Sequence, residues 1–171
     1  KTRKRIIKPT TMNIFYLDEC PKKAAQLQYN KHVVKMILES AQMLCTAHHV
    51  LDNRIRLLDD IPYRITHVNH PSTRWVRENS LHYDWLYDHM RALGDEYTKR
   101  YNKTHLSIIK CKHLVYPPKN IPTVMFNQPP QCMPDEYKDT CSIKAYWNYY
   151  IGEKHIVANP KTEKIYEKIN I

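Results

Sequence analysis

Glycine is scarce in this chain: only 2 of its 171 residues are glycines. Tight β-hairpin turns need residues with positive φ, and glycine supplies that conformation most readily. The chain instead has 11 prolines, which suit loops and the first turns of helices. The composition therefore argues against a fold made of many β-hairpins and predicts helices that are joined by proline-rich loops.

Signatures of metal sites, disulfide frameworks and membrane spans are also missing. The 5 cysteines are widely spaced without a CxxC pair, and there is no HExxH motif. No apolar run has the length that crosses a bilayer, and no signal-peptide segment follows the N-terminal charges. We therefore expect no metal, no cofactor and no membrane partner. The simplest expectation is an intracellular protein with reduced thiols, in the cytoplasm, nucleoid or nucleus.

The common nucleotide and hydrolase motifs are absent as well: GxxxxGK[ST], GxGxxG and GxSxG do not occur. What the chain does have is positive charge, with a formal net charge of +10 and a pI near 9.3. Such a charge favours a polyanionic partner, above all a nucleic acid.

Five of the positive charges lie within the first eight residues, at Lys1, Arg3, Lys4, Arg5 and Lys8. A basic arm of this kind contacts phosphates without reading base sequence. A solubility tail, a localisation signal or a contact with a partner protein is equally compatible with it.

Hydrophobic periodicity predicts two long amphipathic helices, over residues 31–50 and 71–101. In the first helix, Val34 and Leu38 belong to the predicted apolar face. Gly94 is a possible bend in the second helix. A third helix is expected after Thr104, whose side chain suits an N-cap.

The remaining segments complete a compact, mainly α-helical single-domain fold. Residues 13–17 predict either a short strand or an extended segment, and residues 140–151 predict an aromatic C-terminal helix. Between the second and last helices, a proline-rich surface loop over 117–134 is expected to pack through Val124, Met125 and Phe126. The expected organisation is a flexible basic arm (1–11), a helical domain (12–158) and a C-terminal tail (159–171).

The first long helix carries a polar trio with chemical potential. His32, Lys35 and Glu39 fall within an arc of about 60° at helical spacing. A carboxylate beside an amine suits glycosidic-bond and Schiff-base chemistry, in which the acid protonates a leaving group and the amine attacks a sugar carbon. The spacing also fits an ordinary exposed Lys–Glu pair, worth only about 0.3–0.5 kcal/mol, and taken alone it favours that interpretation.

Aromatic and basic residues alternate near the C-terminus, at Lys144, Trp147, Tyr150 and Lys154. Tyrosine and tryptophan rings stack on bases, but they also pack in cores while keeping a polar edge. The pattern therefore predicts either a nucleic-acid surface or a tyrosine-rich core seam.

Four segments together resemble the phage endonuclease V-type pyrimidine-dimer DNA glycosylase/AP lyases and their small bacterial relatives. They are MNIFYL at 12–17, KHVVKMILESAQML at 31–44, NHPSTRW at 69–75 and YWNYYIG at 146–152. The resemblance implies a compact helical protein that binds double-stranded DNA, kinks it and flips a base out of the stack. Lys31 and Arg74 are further basic residues expected to contact that DNA.

The resemblance also implies catalytic roles. The α-amine of the residue after a methionine, here Asn13, would form an imine with the sugar, and Glu39 would assist the glycosidic and elimination steps with His32 nearby. The chain departs from the family at Leu38 and Gln42, which lie where arginines are expected. Because 12 residues precede Asn13, its nitrogen is an amide unless the chain is processed or started internally. Lys31 or Lys35 is then the alternative amine.

Two classes of function follow. The first is a DNA repair glycosylase or AP lyase acting on a damaged or modified base. The second is a non-catalytic nucleic-acid-binding protein, or a subunit of a nucleoprotein assembly whose basic arm contacts a partner.

Overall fold

The computed structural model describes residues 12–52 and 60–157, and all regular structure in these ranges is helical. The α-helices there are α1 (Pro21–Gln26), α2 (Asn30–Leu51), α3 (Pro71–Glu78), α4 (Ser80–Tyr101), α5 (Leu106–Lys110) and α6 (Ser142–Gly152). Short 3₁₀ turns occupy Lys112–Val115, Asp135–Tyr137 and Lys154–Val157. The mainly α-helical fold is confirmed, whereas the expected arm and tail lie outside the described residues.

The centre of the fold is the packing of α2 and α4, each 22 residues long. Helix α4 contacts α1, α2 and α3. Ile37 and Leu44 of α2 and Leu86 and Met90 of α4 are fully buried in this core. Burial of each such side chain contributes about 1.5–3 kcal/mol. This packing fixes α2 and so determines where its polar trio points.

Residues 12–17 form an extended segment without strand pairing, the second of the two expected alternatives. All six are buried, so the segment is part of the core. The side chain of Asn13 organises it, because Oδ1 accepts hydrogen bonds from the backbone N–H groups of Ile14 (2.8 Å) and Phe15 (3.2 Å). Phe15 has a φ of 55°, a conformation that costs a non-glycine residue about 1–3 kcal/mol.

The prediction of one continuous helix over 71–101 is wrong, because the chain breaks between α3 and α4 at Asn79. This residue is extended (φ −160°, ψ 163°), and its Oδ1 caps α4 by accepting from Leu81 N (2.9 Å) and His82 N (3.2 Å). Gly94 lets α5 approach closely, since a Cβ there would lie 2.6 Å from Ile108 Cγ1.

Three smaller expectations also need correction. Helix α5 is capped by His105, whose Nδ1 accepts from Ser107 N, rather than by Thr104. Val34 and Leu38 are exposed instead of buried, because the buried face of α2 is rotated toward residues 12–17. Of the three loop residues expected to pack on the core, Phe126 does so, while Val124 and Met125 face solvent.

Candidate active site

Glu39 lies in the middle of α2, where residues 12–17 cross the helix. Its side chain is nearly buried and has two partners on opposite oxygens. The backbone N–H of Asn13 donates to Oε2 at 3.2 Å, and Lys35 Nζ lies 3.5 Å from Oε1. The structure therefore brings together three of the residues that the sequence singled out, and the Lys35–Glu39 pair is not an ordinary exposed one.

Burial raises the pKa of Glu39 above its ordinary value of 4.5, because a carboxylate loses hydration inside the protein. The charge of Lys35 and the hydrogen bond from Asn13 oppose this increase without cancelling it. A carboxyl group with a raised pKa keeps its proton closer to neutral pH, which is the property that a general acid requires.

Both polar atoms of the Asn13 side-chain amide form hydrogen bonds. In addition to the two bonds that Oδ1 accepts, Nδ2 donates to the carbonyl of Cys132 at 3.0 Å. The side chain thus connects the N-terminal segment to the end of the proline-rich loop. Its backbone N–H is aimed at Glu39 as a consequence.

His32 lies one turn before Lys35 and is buried against aromatic rings. Its ring stacks on Phe15 with a centroid distance of 4.1 Å, and Nδ1 lies 2.6 Å from the hydroxyl of Tyr150. Burial, together with the charges of Lys154 and Lys35, lowers the pKa of His32 to about 3. His32 is therefore neutral at physiological pH and acts as a polar, uncharged part of the site.

A cavity of about 240 Å³ opens beside these residues. Its lining is Asn13, Phe15, Lys31, His32, Lys35, Met36, Tyr149 and Lys154. Glu39 does not line the cavity itself, but both of its partners do. Three lysines face this space, and Lys154 also places its ammonium 4.7 Å from the centre of the Tyr149 ring. The cavity is therefore positively charged and suited to an anionic ligand.

Among the described residues predicted to bind nucleic acid, four do not line the cavity: Arg74, Lys144, Trp147 and Tyr150. Arg74 is exposed on α3, and Lys144 is exposed on α6, where its Nζ lies 3.4 Å from Asp139 Oδ2. Trp147 is half-buried and donates its indole N–H to the carbonyl of Leu17 at 2.9 Å. Its ring thus serves the packing of α6 on the N-terminal segment.

Tyr150 requires a correction. The sequence pattern predicted a base-stacking ring, but the side chain is fully buried. It stacks on Tyr29 with a centroid distance of 4.5 Å and holds His32 through its hydroxyl. Because the ring is enclosed by its neighbours, a base cannot reach it for stacking. Of the two alternatives for the C-terminal aromatic pattern, Tyr150 follows the core seam.

The basic-arm residues Lys1, Arg3, Lys4, Arg5 and Lys8 lie outside the described residues. Within the described ranges, no group of three His, Cys, Asp or Glu side chains is arranged to hold a metal ion. In the same ranges, no helix is long and apolar enough to cross a membrane.

Sequence reasoning missed three residues of the cavity: Phe15, Met36 and Tyr149. Phe15 belongs to the MNIF segment, but nothing in that segment indicates that its ring forms one wall of a site. Met36 and Tyr149 carry no signal in the sequence that separates them from ordinary core residues.

Comparison with known proteins supports one family. The family model described as pyrimidine dimer DNA glycosylase matches residues 12–109, which is more than half of the chain. The match contains Asn13, His32, Lys35 and Glu39 but ends before Tyr149 and Lys154. No curated protein and no solved structure matched the chain. On the extent of the family match, this chain belongs to the pyrimidine dimer DNA glycosylase family.

Proposed function

We propose that this protein is a DNA glycosylase that removes a damaged or modified base from double-stranded DNA, with Glu39 as the proton-carrying group. One observation carries the proposal: a buried carboxyl with a raised pKa lies between an amine and a backbone N–H beside a lysine-lined cavity. Its place of action is then the compartment that holds the DNA.

The first step is the binding of DNA, for which the three lysines of the cavity provide positive charge. Phosphates are attracted to positive charge whatever the base sequence, and the attraction weakens with salt. Lys31, Lys35 and Lys154 therefore guide the DNA backbone toward the cavity. A base within the duplex must leave the stack before a side chain can reach its glycosidic bond, so the substrate is a flipped nucleotide.

The size of the cavity limits what enters it. Clefts that enclose drug-sized ligands measure about 300–1,000 Å³, and this one measures about 240 Å³. It therefore accommodates the sugar or a single ring system rather than a whole enclosed nucleotide. The remainder of the DNA lies across the exposed surface.

Glu39 then supplies the proton for cleavage. A departing base is a poor leaving group as an anion, and protonation during bond breaking removes that difficulty. The N–H of Asn13 fixes Oε2, while Oε1 faces Lys35. Neutral His32 and Phe15 stack on each other in the wall of the adjacent cavity.

A panel of duplexes tests the proposal. Each duplex carries one lesion, including a cyclobutane pyrimidine dimer, an oxidised base or an alkylated base, and base release is scored beside an unmodified duplex. The expected result is release from at least one lesion and none from the unmodified DNA. Binding of every duplex without release from any of them would contradict the proposal.

One observation favours a second function. Asn13, the residue that corresponds to the family's amine, has its nitrogen in a peptide bond in this chain. A protein that kept the fold and lost this amine would bind DNA without turnover. The same panel distinguishes the two functions, because a binding protein shows salt-dependent affinity for all duplexes and no base release.

A further inference from the structure

We propose that Lys35 is the amine that attacks the sugar in this chain and forms a covalent imine with its C1′ atom. The inference rests on the proposed function and identifies the nucleophile at that site. It starts from two observations: where the nitrogen of Asn13 is, and which amine lies beside Glu39.

The nitrogen of Asn13 is unsuited to attack. Its lone pair is delocalised into the peptide group that joins it to Met12. Its single hydrogen is donated to Glu39 Oε2. As long as this peptide bond is intact, the nitrogen orients the carboxyl and does not act as a nucleophile.

Among the three lysines of the cavity, Lys35 is the one that contacts Glu39. It lies one helical turn before the glutamate, and its Nζ is 3.5 Å from Oε1. Lys31 precedes Glu39 by two turns, which places its backbone about 12 Å away along the helix axis. Lys154 belongs to a different segment and directs its ammonium to the face of Tyr149. Of the three, Lys35 is therefore the amine with this proton acceptor beside it.

The contact with Glu39 provides a route for the proton that the departing base takes up. The ammonium of Lys35 gives one proton to the Glu39 carboxylate and becomes a neutral amine. The amine attacks C1′, the C1′–N bond to the base breaks, and its electron pair leaves with the base. Glu39 returns the proton to the base nitrogen.

Ring opening completes the imine. After the attack the nitrogen carries two protons and a positive charge. One of these protons moves to O4′, the lone pair that this frees on nitrogen forms the C1′=N double bond, and O4′ leaves C1′ as a hydroxyl. The product is a protonated imine. Water then hydrolyses the imine to an aldehyde and restores Lys35. Burial raises the pKa of Glu39, which makes the carboxyl a better acceptor for the first proton.

Borohydride trapping tests the assignment with the full chain. Wild-type protein is incubated with a duplex that contains one abasic site, sodium borohydride reduces the imine to a stable secondary amine, and the adduct is mapped by digestion and mass spectrometry. The abasic sugar is an aldehyde that reacts with the amine directly, so the result does not depend on which lesion is recognised. The expected adduct is on Lys35.

The matched variants are Lys35→Arg and Lys22→Arg, since Lys22 is exposed on α1 and does not line the cavity. Arginine keeps the positive charge but remains protonated and forms no imine. Loss of the adduct in Lys35→Arg alone, with DNA binding unchanged, is expected. The Lys35 side chain is 65% exposed, so the variant is expected to fold, and circular dichroism checks this.

An adduct mapped to another residue, an adduct that persists in Lys35→Arg, or no adduct from DNA-bound wild-type protein would overturn the proposal. Base release without any adduct would leave the glycosylase function standing and remove Lys35 as the nucleophile. An adduct on Lys35 without base release from any lesion would support the imine and contradict the glycosylase function.

Discussion

At the scale of single residues, Asn13 links the backbone conformation of the N-terminal segment to the orientation of Glu39. Its Oδ1 satisfies two backbone N–H groups, and one of them belongs to Phe15, which has positive φ. Loss of these acceptors leaves buried donors unpaired and the strained residue unsupported.

We expect Asn13→Ala to lower the free energy of unfolding by about 1–3 kcal/mol. Asn13→Ser keeps a short uncharged acceptor for these N–H groups and loses the donor to Cys132, so a smaller loss is expected. Urea unfolding at pH 7 measures both values. Equal losses in the two variants would show that the Oδ1 contacts do not stabilise the segment.

Buried histidines predict how stability depends on pH. Burial lowers the pKa of His32 to about 3 and that of His48 and His89 to about 4, from an ordinary value of 6.5. The unfolded chain therefore binds more protons than the folded chain below pH 6.5, and stability falls as pH decreases. The full stability is therefore present above pH 6.5 and is lost progressively as pH falls toward 3–4.

Urea unfolding midpoints measured at about pH 7, 5.5 and 4.5 check this expectation, because the midpoint should fall with the pH. Glu39 works in the opposite direction, because its raised pKa means that the folded state takes up a proton earlier. The comparison of wild type with His32→Gln isolates the histidine, since both contain Glu39. The variant should show a shallower loss of stability with acid, and parallel curves would contradict the assignment.

The sequence alone predicts the position and role of only some of these residues. Helical spacing is sufficient to bring His32, Lys35 and Glu39 to one face, because their separations follow from the helix repeat. The role of an aromatic ring depends on what packs against it. Tyr150 therefore carried the same signal as a base-stacking residue, although the ring is fully buried.

At the scale of elements, one residue separates two helices that the sequence pattern merges. Asn79 caps α4 and also donates its Nδ2 to the carbonyl of Met125 at 3.4 Å. It therefore fixes the start of α4 relative to the proline-rich loop. We expect Asn79→Ala to cost about 0.5–2 kcal/mol through loss of the cap.

Asn79→Asp is the matched control, because it keeps the capping oxygen and removes the donor to Met125. Its stability should lie between those of the wild type and Asn79→Ala, as measured by urea unfolding. Equal losses in Asn79→Asp and Asn79→Ala would indicate that the contact with the loop, rather than the cap, stabilises this junction.

The helix break escaped prediction for a physical reason. The apolar stripe continues through both helices, from Trp75 to His82 and Leu86, so the period alone shows one element. Breaks are usually signalled by glycine or proline, and Asn79 is neither. Arg100 is a similar case: it binds the carbonyls of Gln28 (2.7 Å) and Gln26 (3.1 Å), and nothing in its sequence context predicts this clamp on the loop between α1 and α2.

At the scale of the whole molecule, positive charge and family membership agree on DNA as the substrate. If Lys31 and Lys154 contact phosphates, replacing both by glutamine should weaken binding of all duplexes and make it less salt-dependent. The slope of log K against log salt should decrease by about 0.9 for each phosphate that the variant no longer neutralises.

The control replaces Lys22 and Lys23, which are exposed on α1, so the net charge changes by the same amount. Fluorescence anisotropy at several salt concentrations measures the slopes. A decrease restricted to the cavity lysines supports their contact with DNA. Equal decreases in the two double variants would mean that net charge alone, and not the cavity, determines affinity.

Fold class and family were accessible from the sequence because they depend on patterns distributed along the chain, such as helical periodicity and the segments at 12–17, 31–44 and 69–75 that lie within the family match. The cavity was not, because Phe15, Tyr149 and Lys154 come together only through the packing of distant segments on α2.

The most direct test of the account is the single-turnover rate of base release by wild-type protein and by Glu39→Gln, with the DNA fully bound in both. Glu136→Gln, on an exposed 3₁₀ turn, is the control. The account predicts a rate that is about 100-fold lower or more for Glu39→Gln, with equal DNA affinity and a normal rate for the control. An unchanged rate in Glu39→Gln would contradict the assignment of this carboxyl as the proton-carrying group.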